Sequence, residues 1–257
     1  MENIALIVGA GAVENSWKPI IRALQPLNNN LELDRDSANS MLSGIIHTMR
    51  YFSHKEKIHS ANIDKEASIY NSIRKLICNE IEKSIITQEL KVRPELENIL
   101  RKYVIELKGK ILVVNTNWDD TIEKYINNYK PSNDFEFESQ IIGMHIHGKY
   151  TDYKTLYLPS EISHEKYRSA EEVNHFSQIN AETLVLLEKC NIAIIYGLSL
   201  DPMDAELTQI ISMGLDNDNL KEVIIIDPCP DIVSNRIKAQ FIGKKSPILK
   251  CLKPNTI

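Results

Sequence analysis

The sequence contains 257 residues, of which 43% are hydrophobic and 25% are charged, and its formal net charge is −5. This length and composition are typical of a globular protein with one large core, and the acidic balance does not favour a nucleic-acid backbone as the main partner. Residues 1–17 lack a basic segment, and every apolar run is shorter than the ~20 residues that span a bilayer. We therefore expect neither a signal peptide nor a membrane span.

The cysteines show no Cys-X-X-Cys spacing, which predicts neither a zinc module nor a thioredoxin-like motif. There are four of them, at positions 78, 190, 229 and 251. We interpret them as buried free thiols in a reducing compartment, and we expect a cytoplasmic protein.

Predicted strands alternate with predicted helices along the chain. Short apolar runs rich in Ile and Val are typical of strands buried on both faces, and they lie at 3–9, 110–116, 141–148, 192–199 and 222–228. Stretches with helical spacing of their apolar residues lie at 119–129, 174–189, 203–214 and 230–240. This alternation predicts an α/β fold with a doubly wound, mostly parallel, Rossmann-like sheet.

Two regions depart from the alternation. We interpret residues 29–109 as a helical insertion that covers the sheet, within a single domain spanning residues 1–257. One predicted helix of the insertion ends at Gly109, and another carries an apolar stripe that either packs or forms a groove for a partner: Ile69, Ile73, Leu76, Ile77 and Ile81. Residues 151–176 are polar, aromatic and irregular, which is typical of a lid or a binding segment.

Two glycines follow the first predicted strand directly. Gly9 and Gly11 would let a backbone approach a pyrophosphate closely, and a helix that begins there offers its N–H groups. A tight turn between strand and helix explains the same glycines equally well. No acidic residue follows on a clear second strand, so the usual dehydrogenase fingerprint is not met.

The second predicted strand ends in two amides, an indole and two carboxylates, in the stretch NTNWDD. Polar groups at such a strand end must be hydrogen-bonded or face a cleft. Asn115, Asn117, Asp119 and Asp120 therefore mark a candidate site. One of the carboxylates is also explained as a helix N-cap, and the other as a favourable charge in the first turn.

The ends of the remaining predicted strands carry further candidates. His145 and His147 share one face if their strand continues through both, and a histidine there is a base, a metal ligand or a structural residue. Gly197 and Ser199 form a turn that can hold phosphate. Asp227 ends the fifth strand, where a carboxylate can accept both hydroxyls of a ribose.

In a parallel sheet all these strand ends lie at one edge, which is where open α/β sheets bind their ligands. The polar and glycine-containing ends together predict a large polar ligand with phosphates and riboses. Asp204 follows the fourth predicted strand and is explained by a helix cap.

The order of the motifs GAGAV, NTNWDD, HIHG, YGLSLDPMD and IIID resembles the sirtuin-like (SIR2-like) superfamily. It is most similar to the bacterial SIR2-like NAD-consuming domains of antiphage defence. The resemblance covers residues 3–17, 111–125, 142–150 and 192–228, and it leaves out the helical insertion. It implies an NAD+ hydrolase that releases nicotinamide and ADP-ribose, with NAD as substrate and no metal cofactor.

The resemblance also implies a role for each matched residue. Asn117 would hold the nicotinamide ribose and the attacking water, Asp119 would bind the nicotinamide carboxamide, and His147 would act as the base. The other matched residues would bind the pyrophosphate, the phosphates and the adenosine ribose of NAD: Gly9, Ala10, Gly11, Gly197, Ser199 and Asp227.

The chain also departs from the sirtuin pattern. It lacks the four-cysteine zinc module and the Phe-Arg segment after the first glycines, and both absences argue against protein deacylation. The main alternative to a hydrolase is a non-catalytic module that senses NAD or binds ADP-ribose. A second alternative is a metal hydrolase whose ligands would be His145, His147, Asp119 and Asp120.

An unregulated NAD hydrolase would exhaust the NAD of its own cell. We therefore expect control through a homo-oligomer or through a separate sensor or activator protein. Residues 29–109 are the candidate contact surface for such a partner.

Overall fold

The computed structural model describes residues 2–28, 30, 32–54, 60–106, 110–129, 142–241 and 247–257. The strands are β1 (Asn3–Val8), β2 (Val13–Glu14), β3 (Lys91–Val92), β4 (Lys110–Asn115), β5 (Ile142–His145), β6 (Ile192–Tyr196), β7 (Glu222–Ile226) and β8 (Ile248–Leu252). The α-helices are α1 (Lys18–Leu24), α2 (Arg35–Ser53), α3 (Ser60–Ile86), α4 (Glu95–Ile99), α5 (Thr121–Asn128), α6 (Ala170–Leu187), α7 (Ala205–Leu215) and α8 (Pro230–Lys238). A π-helical stretch, Leu100–Glu106, continues α4.

The main sheet has six strands in the order β5-β4-β1-β6-β7-β8, and every neighbouring pair is parallel. Val8, the last residue of β1, lies opposite the last residues of β4 and β6, which are Asn115 and Tyr196. The carboxyl ends of the central strands are therefore level with one another. This arrangement confirms the predicted α/β fold and puts the polar strand ends along one edge.

Helices cover both faces of the sheet because the strands are apolar on both sides. Ile4, Leu6 and Val8 of β1 point into a core formed with the helices of residues 29–109. Ala5 and Ile7 point into a second core formed with α6, α7 and α8. Each fully buried Val, Leu or Ile contributes about 1.5–3 kcal/mol through the hydrophobic effect, so the two cores hold the strand ends in a fixed arrangement. The sheet is doubly wound, as predicted.

The predicted strand content was incomplete. The edge strand β8 was missed because its side chains are half-buried or exposed, so its sequence contains no continuous apolar run. Residues 29–109, which we interpreted as a helical insertion, also contain a strand, because β3 pairs antiparallel with β2 through two residues on each side. Such a short pairing leaves no periodic pattern in the sequence. Gly109, the predicted end of a helix, lies outside the described residues.

The apolar stripe predicted for α3 is narrower in the structure. Ile73, Ile77 and Ile81 are buried, whereas Ile69 and Leu76 are 38% and 42% exposed. The buried residues are spaced four apart, as one packed side of a helix requires, and the two exposed residues lie beside that side. One face of α3 therefore packs against α1 and α2 in the core on this side of the sheet, and apolar side chains remain on the outside.

Two smaller differences concern α6 and the cysteines. Helix α6 begins at Ala170 instead of residue 174, because Ser169 and Glu172 form a capping box at its start. All four cysteines are free, but Cys229 and Cys251 are exposed rather than buried. Within the described ranges, none of the helices combines the length and the apolar composition that a membrane crossing requires.

Candidate active site at the carboxyl edge of the sheet

One cavity of about 560 Å³ opens at the carboxyl edge of the sheet. Its volume falls within the range of about 300–1,000 Å³ that is usual for small-molecule and cofactor sites. Eight of the nine predicted site residues line it, and they are Ala10, Gly11, Asn117, Asp119, His147, Gly197, Ser199 and Asp227. The register of the parallel strands brings these residues together from distant parts of the chain.

Gly9, the ninth residue, does not line the cavity, because it packs against the turn that follows β6. The N–H groups of Gly9 and Gly11 donate to the carbonyl oxygens of Tyr196 and Gly197, at 3.1 and 2.8 Å. A Cβ atom on Gly9 would lie 2.7 Å from the Gly197 oxygen. These two N–H groups are thus occupied by the turn after β6. The predicted role of Gly9, Ala10 and Gly11 in binding a pyrophosphate stays a prediction. The glycines are required because two turns approach each other closely.

The two asparagines at the end of β4 have different roles: Asn115 holds the turn, and Asn117 lines the cavity. Asn115 is fully buried, and its Oδ1 accepts the Asn117 N–H at 2.9 Å while its Nδ2 donates to the Asp119 carbonyl and to Glu123. The Asn117 side chain lines the cavity and donates through Nδ2 to the Gly9 carbonyl at 3.3 Å. Asn115 therefore fixes the backbone that presents Asn117.

Only one of the two neighbouring carboxylates faces the cavity. Asp119 is 4% exposed, lines the cavity and accepts the Thr121 N–H at 2.9 Å, and its burial raises its pKa. Burial would also raise the pKa of Asp120, but hydrogen bonds from Lys124 and Lys149 outweigh it and lower that pKa. Asp120 forms ion pairs with these lysines at 2.9 and 3.1 Å. Asp119 is thus the acid available to a ligand.

The prediction that His145 and His147 share one face of a strand was wrong, because β5 ends at His145. The chain then turns, with the Gly148 N–H bonded to the His145 carbonyl and Gly148 at φ +77°. His145 lies outside the cavity lining, with Nε2 3.0 Å from Glu123 and Nδ1 3.2 Å from the Asn117 carbonyl oxygen. It therefore supports the Asn117 turn, and His147 alone reaches the cavity.

His147 is half-buried and has the electrostatic properties of a general base. Burial lowers its pKa, while the negative charge of Asp204 and a hydrogen bond with the Thr116 backbone act in the opposite direction. A lowered pKa keeps the imidazole neutral near pH 7, where it can accept a proton.

The predicted position of Asp204 at the start of a helix is confirmed, but its side chain does not act as the cap. It occupies the N-cap position of α7, but its carboxylate makes no capping hydrogen bond. It lines the cavity, and burial raises its pKa. The neighbouring Asp201 makes the local turn instead, accepting the Met203 N–H at 3.0 Å.

The far wall of the cavity is held by the turns after β6 and β7. The Ser199 carbonyl oxygen accepts from Arg236 at 2.7 Å, and this bond fixes the turn that carries Gly197. Asp227 accepts the Cys229 N–H through Oδ1 at 2.8 Å. Both Ser199 and Asp227 line the cavity, so polar groups stand on the wall opposite Asn117.

Several lining residues come from segments outside the matched motifs, among them Arg35, Arg93, Glu95 and Tyr157. Arg93 directly follows β3, and its Nε donates to the Gly11 carbonyl oxygen at 2.9 Å. Tyr157 belongs to the irregular segment 151–176. Their positions depend on contacts between distant segments, so no local sequence signal marks them.

The metal-hydrolase alternative requires four side chains in one cluster. His145 and Asp120 instead pair with Glu123 and with two lysines, while His147 and Asp119 face the cavity. Among the described residues, no three His, Cys, Asp or Glu side chains are grouped so that they could hold a metal ion.

Comparisons with protein-family models and with curated proteins find no match for this chain.

Proposed function

We propose that the protein hydrolyses NAD+ at the bond between nicotinamide and ribose, releasing nicotinamide and ADP-ribose. One observation carries this proposal: an asparagine, a buried acid and a histidine, Asn117, Asp119 and His147, line the same cavity at the carboxyl edge of a parallel sheet. Each matches a residue of the motif order that resembles the SIR2-like superfamily.

The chemistry needs little more than positioning and proton transfer. The bond from the ribose C1′ to the nicotinamide nitrogen breaks, and its electron pair neutralises the positive charge of the ring. Water then adds to C1′, while His147 accepts the proton of that water and later releases it to solvent. Asn117 would orient the water, and Asp119 would hold the carboxamide of the leaving ring. The low pKa of His147 supports its role as the base.

The remaining lining residues match the rest of the substrate. Arg35 and Arg93 supply positive charge for the diphosphate beside the first glycine turn. Asp227 supplies a carboxylate for the hydroxyls of a ribose on the opposite wall. A cavity of about 560 Å³ has the size class of a cofactor site.

We further propose that this activity belongs to a cytoplasmic effector of antiphage defence and is controlled by self-assembly or by a separate activator. The resemblance of the motifs supports the defence role, and the four free cysteines agree with a reducing compartment. Apolar side chains exposed on α2 and α3, including Tyr51, Ile69 and Leu76, support residues 29–109 as the contact surface.

The test is nicotinamide release from NAD by the purified protein, measured beside Asn117→Ala and His147→Ala. Release by the wild type and loss of release in both folded variants would support the hydrolase. His145→Ala is a useful comparison because His145 supports the turn without lining the cavity, so it should lose less activity than His147→Ala. Tight ADP-ribose binding with no release from any form would favour the non-catalytic binding module or an enzyme that requires its activator.

A further inference from the structure

Tyr157 lies flat against the ring of His147. The two ring centroids are 5.2 Å apart and the ring planes differ by only 4°, which is an offset parallel stack. The Tyr157 N–H also donates to the His147 carbonyl oxygen at 3.0 Å. One residue therefore contacts both the backbone and the side chain of His147.

Tyr157 is itself held from several sides. Its carbonyl oxygen accepts from Trp118 Nε1 at 3.2 Å, and its hydroxyl donates to Glu206. Glu206 in turn accepts from the N–H and the hydroxyl of Ser163, at 2.8 and 2.7 Å. Burial raises the pKa of Tyr157, and the charge of Glu206 adds to this effect, so the phenol keeps its proton and remains a donor.

A buried ion pair lies behind the tyrosine. The Cζ atom of Arg168 lies 5.3 Å from the centroid of the Tyr157 ring. The ring of Phe176 packs edge-on against the Tyr157 ring, with an angle of 71° between the planes and 5.2 Å between the centroids. Arg168 pairs with Glu161 at 2.7 Å, and both side chains are 0% exposed. A buried, hydrogen-bonded pair fixes its neighbours firmly, because moving either partner leaves a charge uncompensated.

We propose that Tyr157 is a positioning residue for His147, which sets the plane of the imidazole so that one ring nitrogen points to the reacting water. The proposal rests on the proposed function, in which His147 is the base. The irregular segment 151–176 would then help to hold His147 in place. Four residues that form these contacts belong to the segment: Tyr157, Glu161, Ser163 and Arg168.

The stack also keeps water from one side of the imidazole. The largest effects of charge on His147 come from Asp204, Glu161 and Glu206, which are acidic and favour the protonated ring. Burial nevertheless dominates and lowers the His147 pKa. Removing the aromatic cover admits water while leaving these carboxylates in place, so the pKa of His147 should rise.

The test compares Tyr157→Leu, which loses the flat ring, with Tyr157→Phe, which keeps the ring and loses only the hydroxyl. Misplacing a reacting group by about 1 Å can cost 10²-fold in rate, so we expect Tyr157→Leu to lower kcat for NAD by about 10- to 100-fold with little change in KM. We expect Tyr157→Phe to lose less activity than Tyr157→Leu, because the flat ring remains. The acid limb of the kcat/KM profile should move to higher pH in Tyr157→Leu only.

A second readout does not depend on hydrolysis. The ring of His147 can be titrated by NMR in protein with labelled histidine, its signal identified by its absence in His147→Ala. The His147 titration should move to higher pH in Tyr157→Leu and stay in place in Tyr157→Phe. An unchanged His147 titration in Tyr157→Leu would overturn the positioning role. If the wild type releases no nicotinamide, this experiment still decides the role of Tyr157 separately from the proposed function.

Tyr157→Leu removes a large buried ring, so folding is checked by urea unfolding. If it does not fold, Tyr157→Met replaces it, because methionine fills a similar space without a flat face. The same shift of the His147 titration is expected from Tyr157→Met, and its absence would contradict the proposal.

Discussion

Replacing Gly197 with alanine should force apart the two turns that meet at the edge of the cavity. Gly197 has φ +60°, and a Cβ atom there would lie 2.3 Å from the Ala12 nitrogen and 2.4 Å from the Gly11 carbonyl carbon. Both contacts are to backbone atoms, which cannot rotate away as a flexible side chain can. The hydrogen bond from Gly11 to the Gly197 oxygen would have to lengthen or break.

The cost can be estimated from two contributions. A residue other than glycine in the left-handed region costs about 1–2 kcal/mol. Overpacking a tightly filled site typically costs about 1–3 kcal/mol more. The free energy of unfolding should therefore fall by about 2–5 kcal/mol. At about 2–4 °C per kcal/mol for a chain of roughly this size, the Tm should fall on the order of 10 °C.

The assay is thermal and urea unfolding followed by circular dichroism, with Gly44→Ala as the matched control. Gly44 lies inside α2, and a Cβ atom there meets no atom within 4 Å. Alanine at that position should stabilise the helix by about 0.5–1 kcal/mol. If Gly197→Ala unfolded at the same temperature as Gly44→Ala, the close contact between the two turns would not exist as described.

Three further results are expected. Arg93→Ala should raise the KM for NAD at least about 10-fold and leave nicotinamide binding unchanged, because the guanidinium would contact the diphosphate and not the ring. The acid limb of the kcat/KM profile should have its midpoint below about pH 6.5, since burial lowers the pKa of His147 and the base must be neutral to act. A midpoint above about pH 6.5 would show that His147 is not the base. Glu161→Gln should destabilise the fold by about 3–5 kcal/mol in urea unfolding, because Arg168 would be left as an unpaired buried charge. The double variant Glu161→Gln with Arg168→Met should recover much of the lost free energy of unfolding. If the losses of the two single variants simply added in the double variant, the buried ion pair would be contradicted.

The central strands could be predicted from the sequence because burial on both faces leaves continuous runs of Ile and Val. The candidate residues could be predicted for a related reason. Polar residues directly after such runs must lie at the carboxyl edge if the sheet is parallel, and Asn117 and Ser199 line the cavity there. The same reasoning failed for Asn115, whose amide is used to fix the turn.

Other parts of the site could not be predicted because they depend on contacts between distant segments. Arg93 lies 82 residues from its partner Gly11, and the two-residue pairing of β2 with β3 that brings it there has no periodic signal. The end of β5 at His145 is set by the turn at Gly148, so the alternation that placed both histidines on one face did not apply. Tyr157 lies in an irregular segment, and its place beside His147 follows from packing against Arg168 and Phe176.

The most direct test of the central claim is a product analysis of NAD incubated with stoichiometric amounts of the purified protein over many hours, so that slow basal turnover is also detected. Hydrolysis predicts equal amounts of free nicotinamide and free ADP-ribose from the wild type, and neither product from His147→Ala. Intact NAD after incubation with wild-type protein that binds ADP-ribose in the same cavity would contradict a hydrolase that acts without an activator.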